Sequence, residues 1–454
     1  MTDAIEQLAA HLVRTPVENI APKALNSAKT FILDTIGVAI AGTTGPHVSE
    51  LISTAGGWGS DASATIWGSR ERLPAPHAAM VNAYQAHNSE FDAIHEAAVI
   101  HPLASILASV LAVAERDGGI SGCDLLTAAV LAVDVSCSIG MGSTETLKFF
   151  RPATAGSFGA VAALARVGKF NIERSIDAFG VQLGQIGGTM QVHEEGSPLL
   201  GMQLGFCTRS AVMSYDLAKA GISGARKVLE GDYGYYALFE GGSDIDCGFR
   251  GLGEVWRICG VSHKPFPSGR ATHGVIDGLL TLRERHNIVA SDVALVRAQV
   301  PPLVHQLTGR PMVDNLGVNY ARLCIPYVGA VALQRGAVGL ADLQPDRLRE
   351  KRTAELASRI TVEVRDVSDP NALVPQRIEI KTMDGSNFAI EMEEVIGSPE
   401  KPLSRDLHLG KFRQNWQNGA HSLKLEHGEQ LIDIIDKLEE LNDCREITKL
   451  LVPE

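Results

Sequence analysis

Residues 263–267 read His263-Lys264-Pro265-Phe266-Pro267, and they divide the chain into two differently patterned parts. Two prolines in three residues fix φ and remove amide donors, so neither a helix nor a central strand runs through them. Upstream the hydrophobic period is helical. The window 24–41 places Ala24, Ala28, Phe31, Ile32, Ile36 and Val38 on one face, close to the α-helical period. Windows 103–114 and 125–135 are apolar almost all round, which marks buried helices. Windows 157–167 and 203–220 continue the pattern, with Gly221 the predicted C-cap of the second. No strand is predicted before residue 260.

Downstream the period changes. A helix is predicted over 271–284, then a β-branched strand over 293–300 that Pro301-Pro302 ends. Another helix is predicted over 330–341 and a strand over 360–367. Ile378, Ile380, Phe388 and Ile390 flank a turn at Asp384-Gly385, which predicts a hairpin over 377–393. From 411 the chain reads as helix again, with an amphipathic end over 429–451. The expected architecture is multidomain, α and α+β. A large all-helical domain covers 1–267, a smaller α+β domain 268–400, and C-terminal helices over 401–454 return to the first domain. No internal repeat or low-complexity linker interrupts this plan.

Composition bounds the function. With 454 residues, two domains are expected; 45% hydrophobic and 21% charged residues exclude wholesale disorder. Aromatics are only 5% while Gly numbers 45, which suits closely packed helices. A formal net charge of -12 disfavours nucleic acid and anionic membranes as partners. The cysteines Cys123, Cys137, Cys207, Cys247, Cys259, Cys324 and Cys444 are odd in number and never form a C-x-x-C pair. A reducing compartment is expected, without a disulfide framework. The first residues show no basic segment followed by an apolar one, and apolar runs such as 106–111 read as too short to span a bilayer. A cytoplasmic protein is expected. No phosphate-binding G-x-x-x-x-G-K-[ST] and no G-x-S-x-G elbow is present, and Gly187-Gly188 reads as a packing or turn element. No cofactor and no metal are therefore expected.

One polar stretch stands out from apolar surroundings: His87-Asn88-Ser89-Glu90-Phe91-Asp92-Ala93-Ile94-His95-Glu96, followed by His101-Pro102. Imidazole titrates near neutrality and a nearby carboxylate fixes its tautomer, so proton transfer is one reading. A solvated, helix-capping loop is a second. A metal site is a third, although His95 and His101 are six apart rather than at the i, i+4 spacing of a helical metal pair. Lys264, stiffened by its prolines and followed by Arg270 and His273, is placed to grip a carboxylate; a surface lysine at a hinge is the plainer alternative.

These segments together resemble the MmgE/PrpD family, over most of the chain. Leu33-Asp34-Thr35-Ile36-Gly37 resembles the family's N-terminal helix ending. Glu90-Phe91-Asp92, His95 and His101-Pro102 resemble its D-F-D-D-T-H…H-P motif. Gly205 through Gly221-Ile222-Ser223-Gly224 and Leu229-Glu230-Gly231 resemble its central helix and the L-E-G that follows. Lys264-Pro265-Phe266-Pro267, His273 and Ile276-Asp277 resemble K-P-Y-P-x-C…H…I-D, and Cys324-Ile325-Pro326-Tyr327 matches the start of its next helix. The resemblance implies a helical domain, an α+β lid domain, a homodimer, and a site for a small polycarboxylate in the cleft between domains. The family's reactions include 2-methylcitrate dehydration, cis-aconitate decarboxylation and iminodisuccinate epimerisation.

Several positions depart from the dehydratase-like pattern. Ala93-Ile94 replaces Asp-Thr, Phe150-Arg151 replaces Phe-His, Leu200 and Gln203 replace a Lys and a His, and Gly269 replaces a Cys or His. Arginine binds carboxylates but is a poor acid, so protonation of a leaving group loses its donors while proton abstraction beside a carboxylate does not. The expectation is a cofactor-independent epimerase of an iminodisuccinate-like amino-polycarboxylate. A 2-methylcitrate-type dehydratase, a lyase, is the alternative, as is an inactive relative used for binding. The resemblance assigns catalysis to His101, Asp92, His95, Lys264 and Tyr327. His273 is a retained family position expected to contact substrate, with a core role the alternative; at the departing positions Arg151 is a candidate carboxylate clamp and Gln203 a polar contact, and His193 is a candidate to replace the lost Lys, with structural roles the alternative for Gln203 and His193.

Overall fold

The structure, a computed structural model, describes residues 3–369, 371–419 and 423–454. Helices with apolar residues on every face lie at the centre of the large domain. Pro102–Asp117, Gly122–Met141 and Ala155–Val167 are almost wholly buried. Their small residues let backbones approach: a Cβ at Gly159 would sit 3.0 Å from the Ser136 side chain and 3.1 Å from the Ala132 carbonyl. Likewise a Cβ at Gly205 would sit 2.7 Å from the carbonyl of Met80, so helix Leu199–Lys219 presses onto helix Ala75–His87. These contacts explain why a chain poor in aromatics fills its core with Ala and Gly. Phe412, Trp416, Leu431, Ile435, Ile447 and Leu451 belong to this same core, which the helices near the C-terminus therefore complete.

The smaller domain is built on a four-stranded sheet in the order Ile360–Val364, Val293–Val300, Gln376–Thr382, Asn387–Met392. The first pair is parallel and the others antiparallel. Helices His273–His286 and Ile325–Arg335 belong to the same domain, and Val275, Leu279, Val296, Ala298, Ile378 and Ile380 share its core. The architecture is thus helical plus α+β.

The sequence expectations need four corrections. Short strands do occur before residue 260: Ile94–His95 pairs antiparallel with Val261–Ser262, placing Ile94 opposite Ser262. Two-residue strands carry no readable period, yet this pair ties the acidic-histidine segment to the residues just before Lys264. The helix predicted over 330–341 instead runs Ile325–Arg335, because Gly336 takes φ 74 and ends it in the left-handed region. The predicted amphipathic end over 429–451 is two helices, Leu425–Asp436 and Arg445–Leu450. Finally, Pro22–Gly42 and Gly122–Met141 are long and apolar enough to cross a membrane by length and composition, contrary to the reading of short runs; both are mostly buried in the core.

Candidate active site

Helix Ala75–His87 ends at His87, and the chain then turns through Glu90, whose φ of 52 is rare for a residue with a side chain. His95 and Ile100 bridge to each other, with the His95 amide donating to the Ile100 carbonyl at 2.8 Å. That loop returns the chain so that His101 stands immediately before helix Pro102–Asp117. Asp92 thereby lies between two imidazoles. Its carboxylate is 3.0 Å from His87 Nδ1 and 3.2 Å from His101 Nδ1, and the two rings meet edge-on with centroids 4.6 Å apart.

Burial sets these two histidines apart. For His101, burial pushes the pKa down and outweighs the pull of Asp92, so the ring is held neutral. For His87, burial also pushes down, but the Asp92 and Glu90 carboxylates prevail and raise it. Asp92 itself is held well below the usual range, because His101 and His87 outweigh the effect of burial. The two neighbouring imidazoles are thus pushed in opposite directions, and His101 is the one that lines the cavity. Environments that separate the proton affinities of neighbouring groups characterise acid–base sites.

Lys264 is wholly buried. Its Nζ donates to Glu90 Oε2 at 2.8 Å and to the Glu90 carbonyl at 3.2 Å. Burial favours the neutral form of Glu90, yet Lys264, His87 and His101 hold its pKa down at about 2. Glu90 and His101 line an interdomain cavity together with Arg151, His193, Arg270 and Thr308, closed on its apolar side by Phe150 and Leu307 among others.

The residues expected from the sequence do not all gather there. His101, Arg151 and His193 line the cavity, and Asp92 and Lys264 stand directly behind it. Arg151 is already paired: Nε and Nη2 donate to the two oxygens of Glu240 at 3.0 and 2.8 Å, so the free clamp expected from the sequence is reduced to Nη1. Burial and the nearby Arg310 push His193 down to about 4, which keeps it neutral.

The expected convergence of His95 and Tyr327 with His101 and Lys264 does not occur. The Tyr327 hydroxyl donates to the Asp342 carbonyl at 2.7 Å and its ring packs in the small-domain core. His95 accepts from the Ala98 amide at 3.2 Å, and burial together with Arg257 lowers its pKa to about 4. Its ring lies against Gly260, where a Cβ would come within 2.9 Å of Nε2. His273 is fully buried between the Ser268 carbonyl and Arg270, at 3.2 and 3.3 Å. Gln203 accepts from the Thr189 amide at 2.6 Å and donates to its carbonyl at 3.3 Å, holding a loop.

Three contributors were not assigned from the sequence: His87, Glu90 and Arg270. Glu90 stood in the quoted motif, but only its contact with Lys264, 174 residues away, distinguishes it from its acidic neighbours. Arg270 donates to Glu96 at 2.7 Å and to the Ile396 carbonyl at 2.8 Å while lining the cavity.

Among the described residues, two groups bring three possible metal donors within 4.8 Å of one another: His87, Asp92 and His101, and Asp34, His263 and His408. In the first, Asp92 is already shared by the two imidazoles. In the second, the ammonium of Lys411 lies 2.7 Å from the same Asp34 carboxylate and already neutralises it. The second group nevertheless leaves Asp34 Oδ2, His263 Nε2 and His408 Nε2 buried without a hydrogen-bond partner among the described residues.

The cavity between the helical and α+β domains thus gathers His101 with Asp92 behind it, two arginines, and the carboxylates of Glu90 and Glu96. The chain belongs to the MmgE/PrpD family: residues 6–248 match its N-terminal domain and residues 266–440 its C-terminal domain. It is similar to the cis-aconitate decarboxylase of Mus musculus, 25% identical over 464 residues that cover 98% of this chain and 93% of the relative. The Homo sapiens cis-aconitate decarboxylase is 25% identical over 462 residues, covering 98% and 94%. That of Aspergillus terreus is 24% identical over 459 residues, covering 95% and 92%. These relatives carry lyase names, so they support the lyase alternative better than the epimerase first expected.

Proposed function

We propose that this protein is a lyase acting on a small polycarboxylate, with decarboxylation of a cis-aconitate-like substrate as its reaction. The observation that carries this reading is His101: neutral, oriented by the buried Asp92, and facing a cavity that arginines line. The lyase names of relatives that span nearly the whole chain support it.

The chemistry follows from charge. In a cis-aconitate-like substrate the bond from the methylene carbon to its carboxylate breaks, and carbon dioxide leaves. The electron pair forms a new double bond, and the former double-bond pair moves to the far alkene carbon, which takes up a proton. Negative charge thus develops beside a retained carboxylate, where Arg151, whose Nη1 is left over by its pair with Glu240, offers a donor, while Arg270 is already paired with Glu96. A bound polyanion raises the proton affinity of His101. The imidazolium that then forms, its Nδ1 beside the Asp92 carboxylate, gives its proton to the carbon and takes up another from solvent before the next turnover. Lys264, wholly buried, acts through Glu90 rather than on the substrate.

A second reading is kept by the substituted positions. Leu200 and Gln203, in place of a Lys and a His, and Ala93-Ile94, in place of Asp-Thr, favour proton exchange without bond loss. The two readings separate when cis-aconitate, 2-methylcitrate and iminodisuccinate are each incubated with the enzyme and followed by proton NMR. Consumption of cis-aconitate with release of carbon dioxide is expected. Loss of stereochemistry in iminodisuccinate, with cis-aconitate untouched, contradicts the lyase.

A further inference from the structure

The far side of the segment that carries Glu90 faces a second cavity, of about 440 Å³, which the proposed chemistry does not use. Its walls come from both domains: Thr44, Asn88 and Ser89 from the large one, Arg322 and Gln344 from the small one. Among the described residues that line it, Arg322 is the one charged side chain.

Arg322 is only 5% exposed and forms no ion pair among the described residues; the Glu90 carboxylate, committed to Lys264 at 2.8 Å, acts on it only from beyond ion-pair distance. Nη1 donates to the Asn88 carbonyl and, at 3.3 Å, to Asn319 Oδ1, while Nε has no partner. Ser89, 3% exposed, likewise leaves its Oγ without a partner. Arginine does not shed its charge on burial, and a buried charge without a counter-ion is costly. An anion in the cavity removes that cost and gives both side chains a partner.

We propose that this cavity binds a small carboxylate, with Arg322 as its counter-ion and Ser89 as a hydrogen-bond donor. A single cation surrounded by neutral hydroxyl and amide groups matches a carboxylate better than a phosphate dianion. The site differs from the active cavity, with the chain from Asn88 to Glu90 as the partition between them. Because both domains line it, an occupant bridges them directly behind Glu90.

Malonate titrated into the full chain by calorimetry tests the assignment. Arg322→Gln is expected to abolish one binding event. Arg322→Lys, which keeps the charge, is expected to retain that event. Ser89→Ala removes only a hydroxyl and is expected to weaken it about tenfold, the effect of one hydrogen bond to a charged group; this variant carries the test if Arg322→Gln does not fold. Malonate binding that is unchanged in both Arg322→Gln and Ser89→Ala overturns the proposal. Inorganic phosphate binding more tightly than malonate at the Arg322-dependent event overturns the carboxylate assignment.

Discussion

Replacing Glu90 by Gln keeps the side-chain shape and removes the charge that faces Lys264. The pair is separated by 2.8 Å, and Lys264 is wholly buried. At that distance and an effective dielectric constant of about 20, the Coulomb attraction is roughly 6 kcal/mol. Much of it offsets the cost of removing both charges from water, so removing one partner is expected to destabilise by about 3–5 kcal/mol. Lys264→Met should cost a similar amount, since it removes the ammonium at 2.8 Å and leaves His87, 3.6 Å away, as the remaining ion-pair contact of Glu90 among the described residues. The double variant leaves no orphaned charge in this pair and should cost less than the two single effects summed, by a coupling energy of about 2–3 kcal/mol. Urea unfolding of the full chain in wild type and the three variants gives the cycle. Single effects that add within about 0.5 kcal/mol would refute the claim that Lys264 acts through Glu90.

The remaining predictions concern the histidines and Tyr327. His101→Ala should lower the steady-state rate by about a hundredfold or more, the usual effect of losing a general acid–base group; a rate within threefold of wild type removes His101 from the chemistry. Tyr327→Phe should leave that rate within about threefold and cost about 1 kcal/mol of stability, because the hydroxyl donates to a main-chain carbonyl. A large rate loss with unchanged melting would place the hydroxyl in the reaction instead. Thermal melts should show stability falling as pH drops from 6.5 towards 4. Burial holds His95, His193 and His408 at about 4 and His263 at about 3, so the unfolded chain binds more protons in that window. The raised His87 works in the opposite sense, contributing stability at low pH that is lost as pH rises through its folded value. Melting that is flat across this range would contradict the burial of the four lowered imidazoles.

The large divisions of the fold were legible because hydrophobic period is a local property. The change at 263–267 and strand Val293–Val300 needed nothing beyond neighbouring residues. The helix end at Arg335 was missed although Gly336 was in view, since apolar residues continue beyond it to Leu340. The site was legible only in part. His101 and Lys264 stood out through residue type and setting, and the structure brings both to the Glu90–Asp92 segment. Tyr327 misled, because a hydroxyl at a motif position does not reveal that a carbonyl fifteen residues away takes its hydrogen bond. Glu90, Asp92 and Glu96 look alike along the chain. Their partners are Lys264, a pair of histidines and Arg270, and only the folded backbone distributes them.

The central claim is that His101 delivers a proton to carbon as the substrate loses a carboxylate. Its most direct test is cis-aconitate labelled with carbon-13 in its carboxyl groups, turned over in deuterated water and followed by NMR. The account predicts one labelled carbon dioxide released and one deuterium gained at carbon per turnover, both suppressed together by about a hundredfold or more in His101→Ala. Deuterium entering a substrate that keeps all its carboxylates, with no labelled carbon dioxide released, would contradict it.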